Sequence, residues 1–141
     1  MPIDRMDHYA IRTEKLAATR DFYVKVIGLK DGPRPDFGFP GHWLYCGDTA
    51  VIHLIHFDRQ ADGSTFDGIM GKRSAFSDSG TGSVDHVAFR ASDLKTFRSR
   101  LKRLKVPINE RDIPDIDLHQ VFLEDPNGVT IELNFFGSSG K

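Results

Sequence analysis

Two short alternating segments, Asp7-His8-Tyr9-Ala10-Ile11-Arg12 and Asp85-His86-Val87-Ala88-Phe89-Arg90, agree at four of six positions with an offset of 78, and Leu16 then falls on Leu94. That agreement marks an internal repeat. In each hexamer polar and apolar positions alternate as in a half-buried strand, with His8 and Ala10 on one face and Tyr9 and Ile11 on the other. A helix signal follows each strand. Thr13 precedes Leu16, Phe22, Tyr23, Val26 and Ile27, closed by Gly28; Ser92 precedes Leu94, Phe97, Leu101 and Leu104, stopped by Pro107. Three further strands are predicted after each helix: about 29–36, 42–46 and 50–57, then 107–112, 118–124 and 129–136. Gly47-Asp48 and Asp125-Pro126-Asn127-Gly128 supply the hairpin turns between the last two strands of each set.

Each half therefore reads β-α-β-β-β, and the fold class expected is α+β: two tandem βαβββ modules, about 5–57 and 84–136. The segment 58–83 between them is polar and rich in Gly and Ser, with Phe66, Ile69, Met70 and Phe76 its main apolar points. It reads either as a plain linker or as a cover for a pocket or a partner subunit. The whole chain, 1–141, is expected to act as a single domain.

Composition narrows the partners. The 19 basic and 20 acidic side chains nearly cancel, so nothing at chain level attracts a polyanion, and no nucleic-acid partner is expected. The basic residues of the second helix, Lys95, Arg98, Arg100, Lys102, Arg103 and Lys105, carry no interleaved aromatics and read as a solvated face. A lone cysteine, Cys46, and no apolar leader or span suggest a cytoplasmic protein without a membrane partner. Neither a Gly-x-Ser-x-Gly elbow nor a phosphate-binding glycine loop follows a strand.

The candidate chemistry lies in the repeat. With an offset of 79 for the last strands, Trp43 falls on Phe122, Leu44 on Leu123, Leu54 on Leu133, Phe57 on Phe136, and His53 on Glu132. Ligand-type residues thus recur in the first strands (His8, His86) and in the last (His53, Glu132). In Val51-Ile52-His53-Leu54-Ile55 and Thr130-Ile131-Glu132-Leu133-Asn134 the polar residue interrupts an apolar strand, where leaving it uncompensated would cost several kcal/mol, roughly. A divalent cation would compensate all of these groups together. His8, His86 and Glu132 are therefore the expected ligands of one ion, a facial set suited to Fe(II) and Mn(II) and open to Ni(II) or Zn(II). For His53 the readings of ligand, acid–base group and bystander stay open. His56 points away from His53, while His42 and His119 are candidate pocket residues.

With these residues in place, the chain resembles the vicinal oxygen chelate superfamily, which includes glyoxalase I, extradiol dioxygenases, fosfomycin-resistance enzymes and bleomycin-resistance proteins. The carriers are the two Asp-His segments, Arg20-Asp21-Phe22-Tyr23 with Ile27-Gly28-Leu29, Val51-Ile52-His53-Leu54, and Asp125-Pro126-Asn127-Gly128 running to Ile131-Glu132-Leu133. The resemblance implies a cupped mixed sheet, a His/His/Glu metal set matching His8, His86 and Glu132, a small-molecule substrate and a homodimer. It also implies the activities to weigh. An extradiol-type dioxygenase with His53 as acid–base histidine is the first expectation, although Phe122 stands where that signature has a tyrosine. A glyoxalase I-like lyase or isomerase is the second, with Glu132 or His53 moving a proton; glyoxalase I usually has a glutamate at the His53 position. A non-catalytic resistance-type binder is the alternative outside catalysis.

Overall fold

A computed structural model describes residues 5–56 and 86–137. The chain divides into two compact units, Met1–Asp78 and Ser79–Lys141, and each is taken by itself. The expected connecting segment 58–83, with Phe66, Ile69, Met70 and Phe76, lies outside the described residues, as do Phe57 and Asp85. No helix among the described residues is long and apolar enough to cross a membrane.

The first unit runs β1 (Tyr9–Thr13), α1 (Leu16–Phe22), a π-helical turn (Tyr23–Ile27), β2 (Lys30–Gly32), β3 (Gly41–Cys46) and β4 (Thr49–His56). The second runs β5 (Val87–Ala91), α2 (Leu94–Arg103), β6 (Asn109–Ile113), a 3-10 turn (Pro114–Ile116), β7 (Leu118–Glu124) and β8 (Thr130–Phe136). Each unit is thus a βαβββ module, as its hydrophobic pattern predicts, and the fold is α+β with two tandem modules. The sheets are ordered β1-β4-β3-β2 and β5-β8-β7-β6.

In both modules the first strand pairs in parallel with the last, and the remaining pairs are antiparallel. The pairing reproduces the sequence repeat residue by residue. Ala10 faces His53 and Ala88 faces Glu132; on the other flank Trp43 faces His53 and Phe122 faces Glu132.

Strand alternation decides what goes inside. Ile52, Leu54, Leu44 and Ile11 are buried in the first core with Tyr23 of the π turn; Ile131, Leu133, Phe135 and Val121 are buried in the second with Leu94 and Leu101 of α2. Phe97 of α2 meets Phe135 edge-on, with centroids 5.6 Å apart, so these odd-numbered β8 residues face the helix. His53 and Glu132, out of phase with them, occupy the opposite face.

Helix ends depart in detail from their sequence signals. The first strand runs one residue further than expected, so Thr13 ends β1, and its hydroxyl accepts from the Lys15 amide at 2.8 Å. Asp93, rather than Ser92, caps α2, accepting from the Thr96 amide at 3.2 Å. Gly28 closes the first helical segment with φ 97°, a left-handed stop that glycine adopts freely. At the end of α2 the same role falls on Lys105, with φ 57°. Val106 donates to the Leu101 carbonyl at 2.9 Å and Lys105 to Lys102 at 3.1 Å, the two bonds of a Schellman stop. A β-carbon is forced there into a conformation it disfavours.

A second repeated device fastens each helix to its neighbouring strand. Arg20 Nε donates to Asp31 at 2.7 Å, and Arg98 Nε donates to Glu110 at 2.9 Å. The arginines are related by the offset of 78 and the acids by 79. In the second module buried His119 joins the latch, its Nε2 2.9 Å from Glu110 and its Nδ1 2.7 Å from Asp112. Partial burial pulls the Glu110 carboxyl upward, but hydrogen bonds from His119 and Arg98 outweigh it and hold the group below its ordinary value.

Two outcomes follow for stability. Lys105→Gly should raise the unfolding free energy by about 1 kcal/mol in urea denaturation, since glycine relieves the left-handed strain. Because the folded Glu110 carboxyl is depressed, its stabilisation is complete above the ordinary glutamate value and drains away as pH falls through the folded one. Glu110→Gln should therefore lower the melting temperature at neutral pH, with the gap to the parent protein closing as pH is taken below 4.5.

Candidate functional site

The polar residues that interrupt the apolar strands anchor two clusters, one on each sheet, on the face opposite that module's helix. In the first module His8 lies just before β1 and stacks on His53, with ring centroids 3.6 Å apart and planes 12° from parallel. The other side of the stack is Trp43, 4.1 Å from His53 at 13°. Trp43 is where it is because β3 and β4 pair it with His53. The His8 Nδ1–H donates to Asp7 at 2.6 Å, and this bond holds the Asp7 carboxyl below the usual aspartate range. It also fixes the tautomer of His8, leaving Nε2 as the nitrogen with a lone pair to offer.

His53 is half-buried, and the imidazole is pushed below its ordinary value. Burial is the main cause, followed by the charge of His8; the charge of Arg34 adds to these, while a hydrogen bond to the Ala50 backbone and the charge of Asp7 oppose them. A neutral imidazole between two rings can accept a proton. Two parallel imidazoles stacked face to face direct their lone pairs side by side rather than toward a common point.

In the second module His86 lies just before β5, and its Nε2 is 2.9 Å from Glu132 Oε2. The other carboxylate oxygen, Oε1, accepts from Gln120 Nε2 at 2.6 Å. Gln120 also donates to Asn134 at 3.0 Å, and its own oxygen accepts from Arg111 Nε at 2.6 Å. Arg111 lies over the Phe122 ring at 5.5 Å. The result is an oriented row, Arg111 to Gln120 to Glu132 to His86, ending on an imidazole that is 38% exposed beside a carboxylate only 10% exposed. Such a carboxylate, one oxygen fastened and the other beside an imidazole nitrogen, forms with it a mixed oxygen–nitrogen donor pair of the kind first-row divalent cations take.

The modules thus bring His8 to His53 and His86 to Glu132. No group of three or more His, Cys, Asp or Glu side chains arranged to hold a metal occurs among the described residues. His119 lies on the helix side of β7, within the latch to Glu110 and Asp112, and so does not join Gln120 and Phe122. His42 makes a comparable contact with Asp31 at 3.0 Å, and His56 is exposed. Asp125, buried in the turn before β8, accepts from the amides of Asn127 and Val129 at 2.7 and 2.9 Å; that motif shapes the hairpin.

Two tandem βαβββ modules, each with polar donors on the face opposite its helix, define a protein of the glyoxalase and dioxygenase type. The family model described as Glyoxalase/Bleomycin resistance protein/Dioxygenase superfamily matches residues 5–133, and the chain belongs to that superfamily. Among solved structures, a glyoxalase family protein from Bacillus anthracis is 21% identical with a TM-score of 0.66, covering 94% of each chain. Lactoylglutathione lyase from Agrobacterium tumefaciens is 23% identical with a TM-score of 0.64 over 95% of each chain. The fosfomycin resistance protein of Listeria monocytogenes is 15% identical with a TM-score of 0.66 over 96% of this chain and 95% of that one. At these identities the likeness establishes the fold. No curated protein matches the sequence at a significant level.

Gln120, Asn134 and Arg111 are members of the second cluster that the repeat did not single out. Gln120 had a signal, an amide within the apolar strand β7 two residues before Phe122. Replacing it with leucine removes the donor to a nearly buried carboxylate, so Gln120→Leu should cost on the order of 1–3 kcal/mol of stability, read by chemical denaturation at neutral pH.

Proposed function

We propose that the protein is a metal-dependent enzyme whose substrate presents two adjacent oxygens to a divalent ion held by His8, His86 and Glu132, and that it acts as an extradiol-type dioxygenase with His53 as general base. The chemistry of the separate donors supports such an ion: a His8 nitrogen freed by Asp7 in one module, and a His86–Glu132 pair held by Gln120 in the other. Fe(II) or Mn(II) suits two imidazoles and a carboxylate best, with Ni(II) and Zn(II) as rivals. The ion would supply a Lewis acid for the two oxygens.

The chain's own residues account for the rest. His53, kept neutral, accepts the proton of a substrate hydroxyl at its ring nitrogen, and its stacking between His8 and Trp43 fixes the direction of that transfer. Arg111 and Gln120 hold Glu132 in one orientation. The observation that carries this reading is the parallel stack of His53 on His8, which favours a non-ligating base beside a ligand. In the glyoxalase I-like alternative the same position would carry a ligating side chain. A homodimer accompanies the proposal by resemblance to the superfamily, and a cytoplasmic setting by the lone cysteine, Cys46, which has no partner in the chain for a disulfide.

Metal-free protein offered Fe(II), Mn(II), Ni(II) and Zn(II) separately should take up about one equivalent of at least one of them. His86→Ala and Glu132→Ala should lower that affinity steeply, whereas His53→Ala should retain the metal and lose turnover. With Fe(II) or Mn(II) bound, catechols should drive oxygen consumption. Absence of oxygen uptake together with isomerisation of a hemithioacetal would replace the dioxygenase by the lyase; absence of any metal near one per chain would replace the enzyme by a small-molecule binder.

A further inference from the structure

Among the described residues Arg34 is a cation without an anion. It is half-buried, and its Nη2 donates to the Phe39 carbonyl at 3.0 Å, while Nε is buried with no hydrogen-bond partner among the described residues. Among the described residues no carboxylate pairs with it, in contrast to Arg20 and Arg98. A guanidinium offers five N–H donors, and withdrawing them from water without acceptors is costly. Ring contacts replace only part of that hydration: the guanidinium carbon lies 5.0 Å from the Phe37 centroid and 5.1 Å from that of Phe39.

The surroundings keep Arg34 in place rather than burying it by accident. Its segment, between β2 and β3, is tied down where the Tyr45 hydroxyl donates to the Pro33 carbonyl at 2.5 Å and where the Gly38 amide donates to Asp36 at 3.0 Å. Gly41 makes the room: a β-carbon there would meet Arg34 Nη2 at 2.9 Å and the Leu54 carbonyl at 2.3 Å. Gly41 and Trp43 lie two residues apart on β3, so the guanidinium sits on the face that carries Trp43 and His53. Phe37, 42% exposed, continues this face, its ring 6.1 Å from Trp43.

We infer that Arg34 is the anion-recognition residue of this site, and that the substrate is a planar aromatic acid whose carboxylate pairs with the guanidinium while its ring lies along Phe37 and Trp43. A carboxylate matches the guanidinium fork in plane and neutralises a single positive charge. The inference deepens the proposed function by naming the substrate class, and it rests on that reading for the identification of this face as the substrate site.

Trp43 is the sole tryptophan, so its emission reports on this face alone. Metal-free protein titrated with benzoate should show a saturable change in that emission, at concentrations at least about tenfold below those needed for benzyl alcohol, a difference worth about 1.4 kcal/mol. Arg34→Met should erase the preference for the acid, and Arg34→Lys, which keeps the charge but loses the fork, should retain part of it. Circular dichroism establishes whether each variant folds; if Arg34→Met does not, Arg34→Gln takes its place with the same expected loss. Equal midpoints for benzoate and benzyl alcohol, no saturable response to benzoate, or an undiminished preference in the neutral variant would overturn the assignment. Since the titration uses metal-free protein, failure of the metal reading leaves the benzoate preference standing, and failure of the Arg34 assignment leaves metal stoichiometry unchanged.

Discussion

The parallel pairing of first and last strands is the constraint from which the rest follows. In a strand, neighbouring side chains must leave by opposite faces, so a residue set between two buried aliphatics is driven away from the helix. Ile52 and Leu54 are drawn into one core and Ile131 and Leu133 into the other, which leaves His53 and Glu132 on the faces opposite the helices of their modules. Register then fixes their company. Ala10 and Ala88, the small partners on the neighbouring strands, leave that face open at the point where His8 and His86 arrive from the preceding residues. Burial of aliphatic surface thus positions the polar groups without any bond between them being needed to specify the fold.

That logic is why so much was legible in the sequence. The repeated Asp-His segments, the amphipathic helix signals and the glycine-containing turns all report on local periodicity, and the modules follow them. The correspondence of His53 with Glu132 is reproduced in register on both flanks, by Trp43 and Phe122 as by Ala10 and Ala88. The expected strand at 29–36 proved shorter, Lys30–Gly32, because Pro33 and Pro35 cannot continue a ladder of amide donors.

What was not legible depends on side chains reaching across strands. Gln120 is an amide in an apolar strand, yet only its pairing opposite Asn134 and next to Phe122 brings it to Glu132. His119 reads in sequence like a pocket residue, but its phase along β7 sends it to the helix side, where Glu110 and Asp112 receive it. Arg20, half-buried, and Arg98, exposed, are helical residues whose partners, Asp31 and Glu110, lie on a different element. The repeat offsets would have related these pairs, but not shown that they touch.

Gly41 and Gln120 occupy the same place in their respective modules, related by the offset of 79 that also joins Trp43 to Phe122. One module needs emptiness at that position, because the Leu54 carbonyl and the Arg34 guanidinium crowd it; the other needs an amide, because a carboxylate is fastened to it. The duplicated backbone has therefore ceased to be interchangeable. Transplanting either half into the other's place would bring a gap where a tether is required, or a tether where there is no room, so the ancestry shared by the two sheets survives in their hydrogen-bond ladders and has been lost from the surfaces they display.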